Sequence, residues 1–332
     1  MHVPTPAEVD ALAASIAPYI VRTPTIAYPG LELANRGPAG ARIFLKLELF
    51  QKTGSFKPRG ALASVLALAP EARRRGLVAV SAGNHALAVA YAARVLGSHA
   101  KVVMPRTASP ARVDRCRRLG ADVILEPDVH AAFTRAETVR DEEDRAFIHP
   151  FESPWVVAGT ATLGREFVHD APDLDAVVVP IGGGGLAAGV SLAVRRALPR
   201  ARVYGVEPRG ADTMARSLAA GHPVAIERVD TIADSLGAPF AAPLTFSICR
   251  ENLHRVVRVE DDELCAAMAL LARDAKLAVE PAGAAATAAI LGPLREELAG
   301  ATVGLVVCGA NLDVATLCRH LTRGAVHLDD DG

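Results

Sequence analysis

Aromatic side chains are scarce in this sequence: its 332 residues include one Trp, four Tyr and nine Phe. An excess of either charge is also missing, since 36 Lys and Arg stand against 37 Asp and Glu, a formal net charge of −1. That balance gives no field for steering nucleic acid or an anionic membrane, and no basic cluster interleaves with aromatics. The short basic runs Arg73-Arg74-Arg75 and Arg117-Arg118 fit the last turns of helices stopped at Gly76 and Gly120. Cysteine is sparse and scattered, at positions 116, 249, 265, 308 and 318, with no CxxC pair and no metal-type Cys/His spacing. The pattern suits a reducing compartment. Met1-His2-Val3-Pro4 carries neither the basic region nor the apolar stretch of a signal peptide, so a cytoplasmic location is expected. The uncharged stretch Ala176–Val194 is divided by Pro180 and four consecutive glycines. It reads as a buried strand and a buried helix, not as a membrane span.

What the chain has in plenty is aliphatic character. Hydrophobic residues make up 51% of it, and its length allows a large core and two domains. Pro6–Ile16 has helical spacing, and Arg42–Leu49 reads as a strand. Strands at Leu77–Val80, Lys101–Met104 and Asp122–Leu125 alternate with helices near His85–Leu96, Ser109–Leu119 and His130–Glu143. Short turns between them predict βαβ units on a parallel sheet. The rhythm changes at Ile148-His149-Pro150-Phe151-Glu152-Ser153-Pro154. Beyond it come a helix near Ala161–His169, a strand Ala176–Ile181, a helix Leu186–Leu198 and a strand Arg202–Val206. A strand His254–Val259, helices Asp261–Lys276 and Gly283–Ile290, and a strand Val303–Val307 complete the pattern. Residues 76–147 are therefore expected to form a small α/β domain inserted into a large one, 1–75 and 148–324, with a tail over 325–332.

The chemistry centres on Lys52-Thr53-Gly54-Ser55-Phe56-Lys57-Pro58-Arg59-Gly60. Pro58 suits a helix start and disfavours the α region for Lys57, which is expected at a loop-to-helix junction ahead of a helix Arg59–Ala69. The positive end of the helix dipole and the apolar Phe56 both disfavour an ammonium there. Such an amine suits a nucleophile or Schiff-base former. Gly182-Gly183-Gly184-Gly185-Leu186 follows a strand and opens a helix, a backbone cradle for a phosphate. A dinucleotide site is its rival, because Glu207 ends the next strand where a ribose-binding acid would stand. Ser81-Ala82-Gly83-Asn84-His85 is a second strand-to-helix loop that can hold an anion such as a carboxylate; N-capping by Ser81 or Asn84 is the plainer reading. Cys308-Gly309-Ala310-Asn311 follows a third strand, and its thiol could be a weak, uncharged partner for a heterocyclic nitrogen.

Together these stretches, with Glu280-Pro281-Ala282-Gly283, resemble the serine/threonine dehydratase family of fold type II pyridoxal-phosphate enzymes, from about Pro6 to Leu321. The resemblance implies an α/β fold like that of the tryptophan synthase β chain, with two open, twisted, mostly parallel sheets flanked by helices. It implies pyridoxal 5'-phosphate held covalently by Lys57, with Phe56 near the ring and Asn84 on its phenolic oxygen. Gly182, Gly183, Gly184, Gly185 and Leu186 would hold the phosphate, and Cys308 would face the pyridine nitrogen with Glu280 close by. Ser81, Ala82, Gly83, Asn84 and His85 would bind the substrate carboxylate. The expected partner is a small amino acid, with no nucleic acid or membrane, and the expected assembly is a homodimer.

The activity so implied is dehydration and deamination of L-threonine and L-serine to a 2-oxo acid and ammonia. Another β-hydroxy amino acid, such as 3-hydroxyaspartate or a phenylserine, is the alternative substrate; serine racemisation and a nucleotide-binding oxidoreductase are the alternative activities. Three departures bear on this choice. Ala82 stands where racemases of the family have a serine, Ala132 where they have an arginine, and Thr213 where metal-binding members have a carboxylate. No metal is expected. The chain ends at Gly332 without room for the appended regulatory domain of biosynthetic threonine dehydratases, so feedback by isoleucine is not expected.

Overall fold

The computed structural model describes residues 2–330. Among these residues ten strands form two sheets. Strands β1 (Thr25–Ala27), β2 (Arg42–Leu47), β7 (Ala176–Pro180), β8 (Arg202–Pro208), β9 (Arg255–Val259) and β10 (Thr302–Val307) make the larger, in the order β1-β2-β10-β7-β8-β9. Strands β3 (Leu77–Val80), β4 (Ala100–Pro105), β5 (Asp122–Glu126) and β6 (Ala146–Phe147) make the smaller, in the order β5-β4-β3-β6. Every pairing is parallel except that of β1 with β2. Parallel strands are buried on both faces and read as continuous apolar runs. Accordingly β3, β7 and β10 are buried at every residue.

Strands between residues 77 and 147 supply the smaller sheet, and all others the larger. The core beside the smaller sheet also takes in Val9, Leu12, Ile16, Ala61, Leu62 and Val65, from the helices Pro6–Ile16 and Lys57–Leu66. The helix Lys57–Leu66 lies outside 76–147 in sequence yet packs against the helix Asn84–Val95, while Pro6–Ile16 joins the same core by packing on Lys57–Leu66 and Pro154–Asp170. At the other end, the helix Val314–Asp330 runs through residue 324 without a break and buries Leu328. Among the described residues, no helix is long and apolar enough to cross a membrane. Ala176–Val194 is β7, the glycine loop and most of the helix Gly185–Ala197.

The topology matters most at one edge. Strand β10, near the end of the chain, lies between β2 and β7, so the segments following these three strands emerge side by side at their carboxyl ends. Open α/β sheets bind their ligands at that edge. The loops concerned are those of Lys57, Cys308 and Gly182–Gly184.

Candidate active site

The lysine loop is fastened to the end of β10. After a 3₁₀ turn at Glu48–Phe50, Thr53 and Gly54 both adopt positive φ, 63° and 79°. For Thr53 that is a strained backbone. Its carbonyl accepts the Asn311 Nδ2–H at 2.7 Å, and Gly54 O accepts the Ala310 N–H at 3.0 Å. Ser55 bridges Gly309, and the Phe56 N–H donates to Cys308 O at 3.0 Å. Lys57 is then the first residue of the helix Lys57–Leu66, and Phe56 before it is also α-helical (φ −61°, ψ −18°). The expectation that Pro58 would hold Lys57 out of the helix is therefore not met. In a first turn the missing proline N–H costs nothing, and the bonds to the β10 loop override the local preference. The helix ends at Leu66 rather than Ala69, and a separate one starts at Pro70.

Lys57 Nζ donates to Pro150 O at 2.9 Å and lies 5.1 Å from the centroid of the Phe56 ring. Burial pushes the amine down to about 8, against the opposing pull of Cys308 and Glu280. Burial likewise raises the Cys308 thiol well above its ordinary range, so it is neutral; its Sγ–H donates to Ala282 O at 3.3 Å.

From the smaller sheet, β3 leads into Ser81–Gly83 and the helix Asn84–Val95. Neither Ser81 nor Asn84 caps this helix; the N-cap is Gly83, without a side-chain bond. Asn84 turns instead to the larger sheet, where Nδ2 donates to Glu280 Oε1 at 2.7 Å and to Ser235 Oγ at 3.2 Å. Its Oδ1 accepts the Asn311 Nδ2–H at 2.6 Å. Glu280 Oε2 accepts the Asn311 backbone N–H at 2.8 Å, while burial raises this carboxyl's pKa. The His85 ring meets Ile148 O through Nε2 at 2.8 Å, and burial with the nearby Lys57 lowers its pKa to about 3.

The glycine loop approaches Phe151 closely. A Cβ on Gly183 would stand 2.2 Å from the Phe151 ring, and one on Gly185 would meet that residue at 3.0 Å. Gly184 has φ +88°, which an L side chain adopts only with strain. The helix behind it starts at Gly185, one residue before the expected Leu186, and its first N–H groups have no partner within the helix.

Two cavities meet here, of about 230 Å³ and about 30 Å³. Both are lined by Lys57, Asn84, Phe151, Gly183 and Ser235. The smaller adds Phe56, Gly182, Gly184, Gly185, Leu186, Glu280 and Cys308; the larger adds Ser81, Ala82, Gly83 and His85. Every residue expected to hold the cofactor or the substrate carboxylate therefore lines one cavity or both. Others at the site carried no readable signal. Arg112, from the helix Pro110–Arg118, donates to Asp234 and, at 2.9 Å, to Asn311 O. Arg115 donates to Asn311 Oδ1 at 2.6 Å. Both look in the sequence like exposed helix charges. His149, Pro150 and Phe151 showed only as a change of rhythm.

Behind the site, Arg59 is fully buried. Its guanidinium meets both Glu48 oxygens at 2.8–2.9 Å and both Glu166 oxygens at 2.8 Å, while Lys46 meets Glu166 at 2.7 Å. This balanced cluster joins β2, the Lys57 helix and the helix Pro154–Asp170.

Residues 16–309 match the family described as pyridoxal-phosphate dependent enzymes. The chain is 53% identical over 285 residues to phenylserine dehydratase of Ralstonia pickettii, spanning 86% of this chain and 87% of that one. It is 40% identical over 288 residues to L-threonine ammonia-lyase of Thermotoga maritima, spanning 86% of this chain and 71% of that one. The solved structure of maize serine racemase superposes with a TM-score of 0.90 at 34% identity, covering 98% of this chain and 99% of that one. These likenesses displace the dinucleotide reading of the glycine loop. The chain belongs to the fold type II pyridoxal-phosphate dependent enzymes, within the family of dehydratases and serine racemases, and its cofactor is pyridoxal 5'-phosphate.

Proposed function

We propose that this enzyme removes water from a β-hydroxy α-amino acid with an aryl or other bulky apolar side chain, a phenylserine, giving a 2-oxo acid and ammonia. The observation that carries the reading is the wall of the larger cavity, where Val80, Pro105, Val129, Phe133 and Phe240 offer an apolar surface beside Lys57. Asp234 is the carboxylate on that wall, and Lys57 is its only Lys or Arg. A second substrate carboxylate, as in 3-hydroxyaspartate, would face Asp234, which already engages the nearby Arg112.

The residues present fit the cofactor. A buried amine with a lowered pKa, a glycine cradle at a helix N-terminus and a neutral thiol surround the two adjoining cavities. Lys57 would hold it, the Gly182–Leu186 backbone would take its phosphate, and Phe56, Asn84, Glu280 and Cys308 would surround its ring. Once bound, pyridoxal phosphate supplies an aldehyde for the substrate amine and a conjugated ring that accepts the electron pair left by the departing Cα proton. Lys57 takes that proton; with its pKa lowered to about 8, a larger fraction of the amine is free as a base near neutral pH than for an ordinary lysine. Ser81–His85, at the head of the helix Asn84–Val95, orients the substrate carboxylate through backbone N–H groups. Ala82 offers no proton on that side of the cavity, which supports elimination over racemisation. The division into domains 1–75 with 148–324 and 76–147, a homodimer and a cytoplasmic location belong to the same proposal.

A second reading, deamination of L-threonine and L-serine, is supported by the likeness to L-threonine ammonia-lyase. Release of 2-oxo acid across a panel of β-hydroxy amino acids separates the two. A phenylserine is expected to exceed L-threonine by about tenfold or more in kcat/KM, the scale on which an apolar pocket discriminates. The reverse order would favour the second reading. D-serine without pyruvate from L-serine would indicate a racemase. Lys57→Ala is expected to abolish release while keeping the fold, with the cofactor held non-covalently; near wild-type turnover in it would end the mechanism.

A further inference from the structure

We propose that His149 donates a hydrogen bond from Nε2 to the β-hydroxyl of the substrate, orienting the oxygen that departs; the inference rests on the elimination proposed above. Three observations place the donor. The His149 residue lines the larger cavity, and it immediately precedes Pro150, whose carbonyl accepts the Lys57 amine at 2.9 Å. The β-carbon is one bond from the Cα whose proton that amine must reach, so the hydroxyl belongs in the same part of the cavity.

Second, the ring's tautomer is fixed. His149 Nδ1 accepts the backbone N–H groups of Glu152 at 2.8 Å and Phe151 at 3.3 Å. A neutral imidazole accepting at Nδ1 carries its proton on Nε2. Burial, with Lys57 nearby, lowers the ring's pKa to about 4, consistent with a neutral group. Phe151 at 4.7 Å and Phe147 at 6.2 Å, both edge-on, hold its orientation. Nε2 has no hydrogen-bond partner among the described residues.

Third, the other polar side chains on the wall are committed. Asn84 is engaged by Glu280, Ser235 and Asn311, and His85 by Ile148 O. Asp234 is held by Arg112, and the Ser235 hydroxyl donates to Asp234. The Ser81 hydroxyl accepts the Gly83 N–H and has its own proton to give to the substrate carboxylate, which belongs at this loop heading a helix. His149 is the donor left for the hydroxyl. It transfers no proton: with Nδ1 accepting two N–H groups, loss of the Nε2 proton would leave an imidazolate. Its effect is to bind and align the C–O bond, and so to prefer a β-hydroxy amino acid over its deoxy analogue.

The test has two arms. In holoprotein carrying Lys57→Ala, calorimetry compares L-threo-phenylserine with L-phenylalanine, which lacks only the hydroxyl. Phenylserine is expected to bind about tenfold tighter, the worth of one hydrogen bond, and His149→Phe is expected to erase the difference. A preference unchanged by His149→Phe, or absent with His149 in place, overturns the proposal. In the otherwise wild-type enzyme, His149→Phe is expected to lower kcat/KM for phenylserine about tenfold and to leave elimination of chloride from β-chloro-L-alanine unchanged. Equal losses on both substrates would assign the ring a merely structural role. His149→Gln, which keeps an N–H donor, is expected to recover part of the loss, and it carries both comparisons if His149→Phe does not fold. Failure of the wild type to release 2-oxo acid from any β-hydroxy amino acid would strike the proposed function; the binding arm would still judge His149 by itself.

Discussion

Asn311 and Asn84 meet amide to amide at 2.6 Å, although 227 residues separate them in the chain. One follows the last strand of the larger sheet; the other heads a helix packed on the smaller. Asn311 also holds the strained Thr53 carbonyl, so a single side chain ties the lysine loop, the β10 loop and the smaller sheet together.

Asn311→Ala is expected to loosen this junction. It strips partners from the buried Asn84 Oδ1 and from Thr53 O, and a buried polar group left unsatisfied costs about 1–3 kcal/mol. Urea unfolding should show a loss of about 2 kcal/mol, with weaker cofactor binding. An unchanged midpoint would mean that water replaces the amide without cost.

The lowered pKa of Lys57 has a measurable pH signature in the apoprotein. Between about pH 8 and the ordinary lysine value of 10.5 the unfolded chain holds more protons at this residue than the folded one. Its contribution to stability therefore rises with pH through that window, and it is lowest below pH 8. Cofactor capture needs the neutral amine, so its rate is expected to rise with a midpoint near pH 8. Stopped-flow absorbance after mixing apoprotein with pyridoxal phosphate reads this directly. A midpoint near 10.5 would contradict the environment described for the amine.

Gly184→Asp is expected to reduce cofactor affinity more than tenfold. The carboxylate would repel a phosphate at the helix N-terminus. Its Cβ would also crowd Met214 Cε at 2.9 Å and Thr245 Cβ at 3.1 Å. Gly184→Ala separates the two effects, since it carries the backbone strain, about 1–2 kcal/mol, without the charge. Equal cofactor titrations for the two variants would place the phosphate elsewhere.

Arg59→Met should be far more damaging than its distance from the cavity suggests. It leaves Glu48 without its cation and Glu166 with Lys46 alone, in a buried cluster. Breaking such a cluster typically costs about 3–5 kcal/mol. Arg140→Met, which removes an exposed pair with Asp141, is the control and should leave the unfolding midpoint nearly unchanged. Comparable unfolding midpoints for the two would remove the cluster's structural importance.

The alternation of strand and helix from 77 to 142 could be read closely because each element carries its own period and its own stop. Gly97 and Gly120 take φ of +67° and +90° just beyond their helices. Strands β1 and β6 could not be read this way, since three and two residues are too few to show a period. The helix Val314–Asp330 escaped for a different reason. Gly324 looks like a breaker, yet it lies inside the helix, where a Cβ would come within 1.9 Å of Cys265 O. It is a close-packing glycine. At the site, Lys57 and the glycine loop are local motifs and were legible. The bonds of Asn84 to Glu280 and of Arg115 to Asn311 span 196 residues each and exist only once the sheets are assembled.

The central position of β10 sets an order of events during synthesis. Its neighbours β2 and β7 are made more than a hundred residues earlier, and neither can bond across the gap that β10 fills. Until residues 302–311 have emerged, the larger sheet exists as two unjoined pieces. The lysine loop then lacks the partners that hold Thr53, Gly54 and Phe56. Parallel pairing at such separation is slow to form. The site is finished by the last of the described strands, so a nascent polypeptide still tethered before residue 302 has its nucleophile but not the place to use it.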